Sequence, residues 1–447
     1  MFMDQNTTRL LNVAESLLDR VRRAGADACD VAVATSTSRG VEVRLGKVEE
    51  TESSETESVS LRVFVGNRVA SVSGDTRSDL SMLAERAVAM AKVSPPDAFA
   101  GLADPERLVD RILDLDLYDP TEIAADTLRA TALAMEDAAR AVPGVTNSGG
   151  ASAGAGTSSL VLATSHGFRG HRMRSGFSRS VSVLGGEGTA MQRDYEFDSR
   201  LHHVDLEDAE AIGRRAGERV VKRLNPGGMP TGRLPIVFDP RVSRGLIASL
   251  VSAINGAAIA RGTSFLKNLM GEPVLPDTMT LTDEPTLKRR PGSRPFDGEG
   301  VAGAPMTLVE NGVLKTWLLD TATARELGLE TNGRAARYGA GLSPAPTNVI
   351  LTPGSLSPAE LIAQTGRGLY VDEMIGQGAN LVTGDYSRGA SGFLIENGVL
   401  TRPVSEITIA GNLREMLLSL TAANDLDTRF STVVPTLRVA EMTIAGR

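Results

Sequence analysis

The segment Asn-Pro-Gly-Gly at residues 225–228 divides this 447-residue chain into two halves of different texture. Before it, helical periodicities alternate with strand patterns; after it, Gly and Pro recur and short strand patterns dominate. Since Asn, Pro and Gly interrupt regular structure, we place the main domain boundary here. The expected fold class is α+β. It has an N-terminal half of antiparallel sheet and helices, and a C-terminal β-rich barrel or sandwich domain.

The beginning of the first half combines helices with strands. Apolar residues recur there at helical spacing, at Leu10, Leu11, Ala14, Leu17, Leu18 and Val21. Alternating apolar and polar residues then predict strands over 31–33, 41–45 and 61–65. Residues 49–57, rich in Glu, Ser and Thr, are expected in the exposed part of a hairpin. A second helix is predicted over about 78–92.

The middle of the chain has the same combination of helix and strand patterns. Asp119, followed by Pro120 and Glu122, is expected to cap a helix that continues to Ala141. Residues 148–159 are rich in Gly, Ala and Ser but lack the spacing of phosphate-binding loops, so we predict a flexible loop there. Strands and one further helix are expected between this segment and the boundary.

In the C-terminal half, one long helix is predicted over 241–261 and another after Ser357. The sequence Glu-Asn-Gly-Val-Leu occurs twice, at 310–314 and at 396–400. Asn-Gly between apolar residues favours a type I′ hairpin, so two similar hairpins are expected. An internal repeat and recurrent turn chemistry both explain the recurrence. The three expected domains are an α+β module at 1–117, a second α+β module at 118–228 and the β-rich domain at 229–447.

Charge and hydropathy exclude several classes of protein. Lys and Arg number 47 against 55 Asp and Glu, a net charge of −8, which argues against direct nucleic-acid binding through a general basic field. Residues 245–260 form the most apolar long segment, which is too short and too polar to cross a bilayer. The first five residues show no basic segment followed by an apolar one. We therefore expect a cytoplasmic protein without membrane contact.

Metal-ligating residue types are few and unevenly placed. Cys29 is the only cysteine, and the four histidines all precede the boundary, at His166, His171, His202 and His203. Adjacent histidines on a strand point to opposite faces, so the pair 202–203 makes a poor chelate. We expect surface or capping roles for these side chains.

Several segments resemble the TldD/PmbA family, and specifically its PmbA branch, also called TldE. They extend over essentially the whole chain: 41–45 (VEVRL), 62–66 (RVFVG), 376–389 (GQGANLVTGDYSRG), 403–413 (PVSEITIAGNL), 422–426 (AANDL) and 444–446 (IAG). The resemblance implies a cytoplasmic metallopeptidase made of two related chains, one TldD-type and one PmbA-type, that removes leader peptides and degrades small or unfolded peptides. An older family label links these proteins to modulation of DNA gyrase.

The resemblance also implies where the metal is held in the TldD branch. There, His-Glu-x-x-x-His on a helix and a later cysteine bind zinc, leave a site for water, and provide the Glu as general base. In this chain Ile247, Ala248 and Ser252 occupy the corresponding positions, when residues 262–264 are aligned with that branch. No His follows His203 and no Cys follows Cys29. We therefore assign no catalytic residue, no metal ligand and no cofactor to this chain, and expect zinc only in a TldD-type partner.

What the resemblance leaves to this chain is contact with peptides and partners. The candidate contact residues are Arg261, Lys267, Asp385, Tyr386 and Arg388. Arg388 is expected either to bind a carboxylate or to fix its loop through Asp385. The leading hypothesis is a non-catalytic subunit of a two-chain metallopeptidase, pairing with a TldD-type chain and forming a homodimer in its absence. The alternative is a non-proteolytic scaffold or regulatory binding protein of the gyrase-modulator kind.

Overall fold

The computed structural model describes residues 5–376 and 378–446, with Thr189 described by its backbone alone. Residues 1–4, on which the expectation about a secretory signal depends, and Gln377 of the 376–389 segment lie outside the described residues. The helices are α1 (Gln5–Arg23), α2 (Leu80–Val93), α3 (Ala125–Arg140), α4 (Ala209–Lys222), α5 (Pro240–Ala253), α6 (Gly256–Ala260), α7 (Thr321–Glu326), α8 (Pro358–Thr365) and α9 (Leu413–Leu418).

Strands dominate the rest of the chain. Those of the first half are β1 (Ala28–Arg44), β2 (Lys47–Val65), β3 (Arg68–Gly74), β4 (Val145–Thr164), β5 (Arg169–Gly185) and β6 (Gln192–Arg200). Those of the second half are β7 (Gly232–Phe238), β8 (Leu281–Asp283), β9 (Met306–Glu310), β10 (Val313–Leu314), β11 (Ala335–Tyr338), β12 (Gly341–Pro344), β13 (Val349–Leu351), β14 (Gly368–Ile375), β15 (Asp385–Glu396), β16 (Val399–Asn412), β17 (Leu420–Ala422), β18 (Thr432–Val433) and β19 (Leu437–Ala445).

The first half folds as one six-stranded antiparallel sheet in the order β3-β2-β1-β4-β5-β6. Four helices cover one face. α1 and α2 pack over Val31 and Val33 at one end of β1, and α3 and α4 pack over Val41 and Val43 at the other end. These valines occupy alternate positions of the same strand, and alternate side chains of a strand share a face. One long strand therefore carries both helical layers.

The prediction of a flexible loop at 148–159 was wrong, because these residues belong to β4 and pair with both β1 and β5. Their small side chains let the backbones approach closely. A Cβ added at Gly156 would lie 2.7 Å from the backbone oxygen of Thr37. The Gly, Ala and Ser composition therefore reflects tight packing in the middle of a sheet.

Two helix boundaries also differ from the prediction. α3 begins at Ala125, and Asp119 instead accepts hydrogen bonds from the backbone N–H groups of Thr121 and His203, each at 2.9 Å. The helix predicted over 241–261 is interrupted after Ala253. There the Asn255 side chain caps α6 and donates to the Pro344 backbone oxygen at 2.6 Å.

The C-terminal half confirms the expected fold class. β7, β14, β15, β16 and β19 form a closed barrel, since β16 pairs with β15 on one side and with β19 on the other. A second sheet has the order β10-β9-β8-β13-β18. The two Asn-Gly hairpins are also confirmed. Asn311 and Gly312 have φ values of 47° and 81°, and Asn397 and Gly398 have values of 52° and 76°, as type I′ turns require.

The C-terminal half covers the sheet face that the helices leave open. Ala32 and Leu162 on that face form an apolar cluster with Phe168 and with Phe296 from the second half. Phe168 and Phe296 meet edge to face, with ring centroids 5.3 Å apart. Among the described residues, no helix is long and apolar enough to cross a membrane.

Candidate functional site

Helix α5 contains Ile247, Ala248 and Ser252, the residues that the resemblance aligns with the metal ligands and general base of the TldD branch. Asp239 caps its N-terminus by accepting from the Arg241 backbone N–H, and Pro240 takes the first helical position. Leu246, Ile247 and Leu250 point into the largest core cluster of the protein. The other side of the helix faces outward.

The outward face of α5 borders a cavity of about 490 Å³, here called the α5 cleft. β6, the end of α4, the barrel and β18 supply the other walls. The polar and charged residues around it include Asp194, Arg223, Arg241, Arg244, Asp372, Glu373 and Arg388. Strands and helices from both halves of the chain therefore build one charged site.

The carboxylates of the α5 cleft are already paired with arginines. Arg223, which is 4% exposed, contacts Asp194 at 2.7 Å, Asp372 at 2.8 Å and also Glu373. Arg241 makes a second contact with Asp194 at 2.9 Å. Burial raises the pKa of Asp372 to about 6, although Arg223 acts in the opposite direction. These acids hold the walls together through charge-assisted hydrogen bonds.

Three arginines of the cleft, Arg193, Arg244 and Arg388, have no carboxylate partner among the described ion pairs. Arg244 lies over the ring of Phe430, with its guanidinium carbon 3.5 Å from the ring centroid. The Nε atom of Arg388 is buried and has no hydrogen-bond partner among the described residues. The cleft thus has surplus positive charge and suits an anionic group, because a bidentate guanidinium contact is the strongest way to bind a carboxylate.

The predicted contact residues on β15 separate into two faces. Tyr386 and Arg388 share one face, and the Tyr386 hydroxyl donates to the Met374 sulfur at 3.4 Å. Burial raises the pKa of Tyr386 to about 12. Asp385 lies on the opposite face and accepts from the Thr383 hydroxyl at 2.6 Å. The structure therefore places Arg388 at the α5 cleft and ties Asp385 to Thr383.

The other two predicted contact residues lie elsewhere. Arg261 follows α6 and is exposed, and the exposed Lys267 donates from Nζ to the Gly262 backbone oxygen at 3.2 Å. Neither borders the α5 cleft. Sequence reasoning did not select Arg223 or Asp372. These residues are 149 positions apart in the chain, and a local sequence pattern does not predict a contact between residues so far apart.

The residues of α5 do not fit a zinc ion. Of the three residues that the resemblance aligns with ligands or base, Ile247 is in the core, and Ala248 and Ser252 lie on the exposed face. They offer one hydroxyl and neither imidazole nor thiolate, whereas zinc sites are built from His, Cys and carboxylate ligands. In the described part of the chain, no group of three or more His, Cys, Asp or Glu side chains is placed to hold a metal ion.

The histidines lie apart from this site. His202 is buried, and its Nε2 atom is 2.9 Å from the Asp116 backbone oxygen. His203 meets the ring of Phe177 edge to face. His166 is exposed after β4.

Comparison with known families places the whole chain in one group. Three family models match: PmbA/TldA metallopeptidase domain 1 over residues 29–91, the central domain over 118–224 and the C-terminal domain over 231–446. A metalloprotease PmbA homologue from Haemophilus influenzae is 36% identical, over 99% of each chain. Metalloprotease PmbA from Escherichia coli O157:H7 is 34% identical, over 98% of this chain and 97% of its own.

Structural comparison agrees. A crystal structure from Bacteroides thetaiotaomicron, described as a candidate modulator of DNA gyrase, superposes with a TM-score of 0.91 and 30% identity over the whole of both chains. A more distant relative, a metalloprotease TldD homologue from Buchnera aphidicola, is 26% identical over 60% of this chain and 58% of its own. Relatives of both branches thus match this chain.

Proposed function

Because this chain belongs to the PmbA/TldA metallopeptidase family, we propose that it is the non-catalytic subunit of a two-chain cytoplasmic metallopeptidase. Its partner is a TldD-type chain that holds the zinc ion and the general base. The substrates are peptides or leader segments. This chain contributes structure and contacts, and binds no metal of its own.

The observation that carries the proposal is the composition of α5. The helix keeps its place beside an open cleft, yet Ile247, Ala248 and Ser252 supply no metal ligand and no carboxylate base there. A chain that folds as its family does, without the groups for hydrolysis, needs another role. Pairing with a related chain that has those groups supplies one.

The α5 cleft supports a role in binding. Its acids are paired within the fold, whereas Arg388 and Arg244 are not ion-paired among the described residues. Such arginines contact carboxylates of a peptide or of a partner surface. An extended peptide can also be held through main-chain hydrogen bonds along a strand edge, which tolerates many sequences.

The decisive experiment compares three samples: this chain, a TldD-type chain from the same source, and the two co-expressed. We expect a mixed species on size-exclusion chromatography and peptide cleavage that is much faster in the mixture than in either chain alone. A chelator should abolish that cleavage and leave the thermal midpoint of the isolated chain unchanged. The proposal fails if the TldD-type chain alone cleaves as fast as the mixture and no mixed species elutes.

The same samples test the alternative of a non-proteolytic scaffold, which the description of the Bacteroides protein favours. A scaffold would form the mixed species without any gain in cleavage rate. That outcome would replace the peptidase proposal.

A further inference from the structure

A second cavity lies between the two halves of the chain and shares no lining residue with the α5 cleft. Its volume is about 600 Å³, within the range of small-molecule sites. One wall is the sheet face opposite the helices, where Ala32, Ala34 and Leu160 leave room because two of them are small. The other wall comes from the C-terminal half, at residues 294–298 and 335–339. We call it the interdomain cavity.

Two arginines border the interdomain cavity without an anionic partner. Arg172 extends from β5, and Arg294 comes from the C-terminal half. Among the described residues, no carboxylate oxygen lies within ion-pairing distance of either guanidinium group. Arg294 donates from Nη2 to the Ala345 backbone oxygen at 2.9 Å, while its buried Nε atom has no described hydrogen-bond partner. An unpaired buried donor is costly, so such groups usually mark a missing partner.

The other two charged groups of the cavity, Asp297 and Arg337, have partners within the fold, although the buried Nη1 atom of Arg337 has no described hydrogen-bond partner. Asp297 accepts backbone N–H groups from Glu299 at 2.8 Å, from Val301 at 2.9 Å and from Ala335 at 3.0 Å. Arg337 is paired with Asp30 at 2.5 Å. Asp297 attracts Arg172 and Arg294 through space but forms no described ion pair with either, so both guanidinium groups remain available to a bound anion.

The pKa shifts of Arg172 and Arg294 support the presence of available positive charge in the cavity. Burial, with the neighbouring guanidinium groups of Arg294 and Arg174, lowers the pKa of Arg172 to about 10. Burial likewise lowers the pKa of Arg294. Holding like charges together in a poorly solvated place costs free energy, and a bound anion would recover it.

We propose that the interdomain cavity is a binding site for a small organic carboxylate, whose charged group contacts Arg172 and Arg294 and whose aliphatic body packs against Ala32, Ala34 and Leu160. Guanidinium groups match the geometry of a carboxylate. The apolar wall distinguishes an organic acid from a bare inorganic ion. This site does not depend on the proposed peptidase role, because it shares no residue with α5.

The test measures binding of N-acetyl-alanyl-alanine to the full-length chain by isothermal titration calorimetry. The matched probe is N-acetyl-alanyl-alanine amide, which has the same aliphatic groups but no carboxylate charge. We expect the carboxylate to bind and the amide to bind at least about tenfold more weakly. Equal binding of both probes, or no binding of the carboxylate at millimolar concentration, would overturn the proposal.

Two variants locate the site. Arg172→Gln and Arg294→Gln should each weaken binding of the carboxylate by about tenfold or more. Arg86→Gln is the control, because Arg86 is exposed on α2 and should leave binding unchanged. The thermal midpoint of Arg172→Gln should equal or exceed that of the parent, since the change removes an unpaired charge. A purely structural arginine would instead give a lower midpoint with unaltered binding, and that result would refute the assignment.

Discussion

At the scale of single residues, the most informative groups are charges buried between the two halves. Glu299 is 4% exposed; one of its oxygens accepts the Thr321 backbone N–H at 2.9 Å and the other lies 3.4 Å from Arg62. Burial raises the pKa of Glu299 to about 7, against the attraction of Arg62. This carboxyl group therefore takes up its proton at a higher pH in the folded chain than in the unfolded one.

We expect Glu299 to make the free energy of unfolding decrease as the pH rises. The unfolded chain releases the Glu299 proton near its ordinary pKa of 4.5, whereas the folded chain holds it to about 7. The protonated Glu299 therefore contributes roughly 3 kcal/mol to the free energy of unfolding. This contribution is fully present below pH 4.5 and is lost as the pH rises through 7. Glu299→Gln imitates the protonated form. Between pH 5 and pH 8 its free energy of unfolding in urea should decline less than that of the parent.

Glu50→Gln provides the control for that comparison, since Glu50 is exposed on β2. Its unfolding free energy should follow the parent at every pH. Parallel curves for Glu299→Gln and the parent would contradict the assignment of this pH dependence to Glu299.

The histidines give a second prediction at this scale. His202→Ala removes a buried ring that bonds to the Asp116 backbone oxygen, so we expect a loss of about 1–3 kcal/mol in unfolding free energy. The exposed His166→Ala should change it by less than about 0.5 kcal/mol. Neither variant should slow peptide cleavage by the mixed complex. A hundredfold slower reaction in a folded variant would show that these residues act in catalysis.

At the scale of elements, β4 and its neighbours depend on close approach of their backbones. Gly156 faces Gly176 across the β4–β5 ladder, yet the two positions differ in surroundings. A Cβ at Gly156 would meet the Thr37 backbone oxygen at 2.7 Å, whereas a Cβ at Gly176 would meet nothing within 4 Å. This pair offers a matched comparison within one sheet.

Gly156→Ala should lower the free energy of unfolding by about 1–3 kcal/mol, because β1 must move to admit the methyl group. Gly176→Ala should be neutral or stabilise by up to about 1 kcal/mol, because it restricts the unfolded chain without a clash. Urea unfolding of both variants measures the difference. Equal effects at the two positions would show that strand packing does not explain the glycine at 156.

At the scale of the whole molecule, a buried ion network around Asp30 joins the two halves, in addition to the contacts of Arg223 with Asp372 and Glu373. Asp30 on β1 contacts Arg62 on β2 at 2.5 Å and Arg337 from the C-terminal half at 2.5 Å. Burial alone would raise the pKa of Asp30, but Arg337 and Arg62 outweigh it and hold this pKa below its usual range. Asp30 is therefore charged in the folded protein and forms one bridge between the halves.

Asp30→Asn should weaken that bridge strongly, because the buried guanidinium group of Arg337 loses its carboxylate and that of Arg62 keeps only the more distant Glu299. We expect a loss of about 3–5 kcal/mol in unfolding free energy and faster proteolysis near residues 225–228. Glu441→Gln is the control; it breaks the exposed contact with Arg233 at 3.2 Å and should cost less than about 1 kcal/mol. An unchanged urea midpoint and cleavage rate for Asp30→Asn would mean that the Asp30 network does not hold the halves together.

The sequence by itself determined the features that depend on neighbouring residues. The two Asn-Gly turns form where the pattern predicts them, because Asn and Gly tolerate positive φ whatever surrounds them. The division into an α+β half and a β-rich half follows from the same local preferences. The signature segments were also sufficient to identify the family.

The tertiary structure decided what depends on distant residues. The segment at 148–159 is a strand because β1 and β5 pair with it, although its composition resembles that of a loop. Arg172 and Arg294 border one cavity, and Arg223 meets Asp372, only because the topology brings separate strands together. Backbone preference acts over a few residues, whereas charge pairing acts through space. The sequence therefore predicted most of the elements and the family, and only the packed chain could reveal the charged cavities.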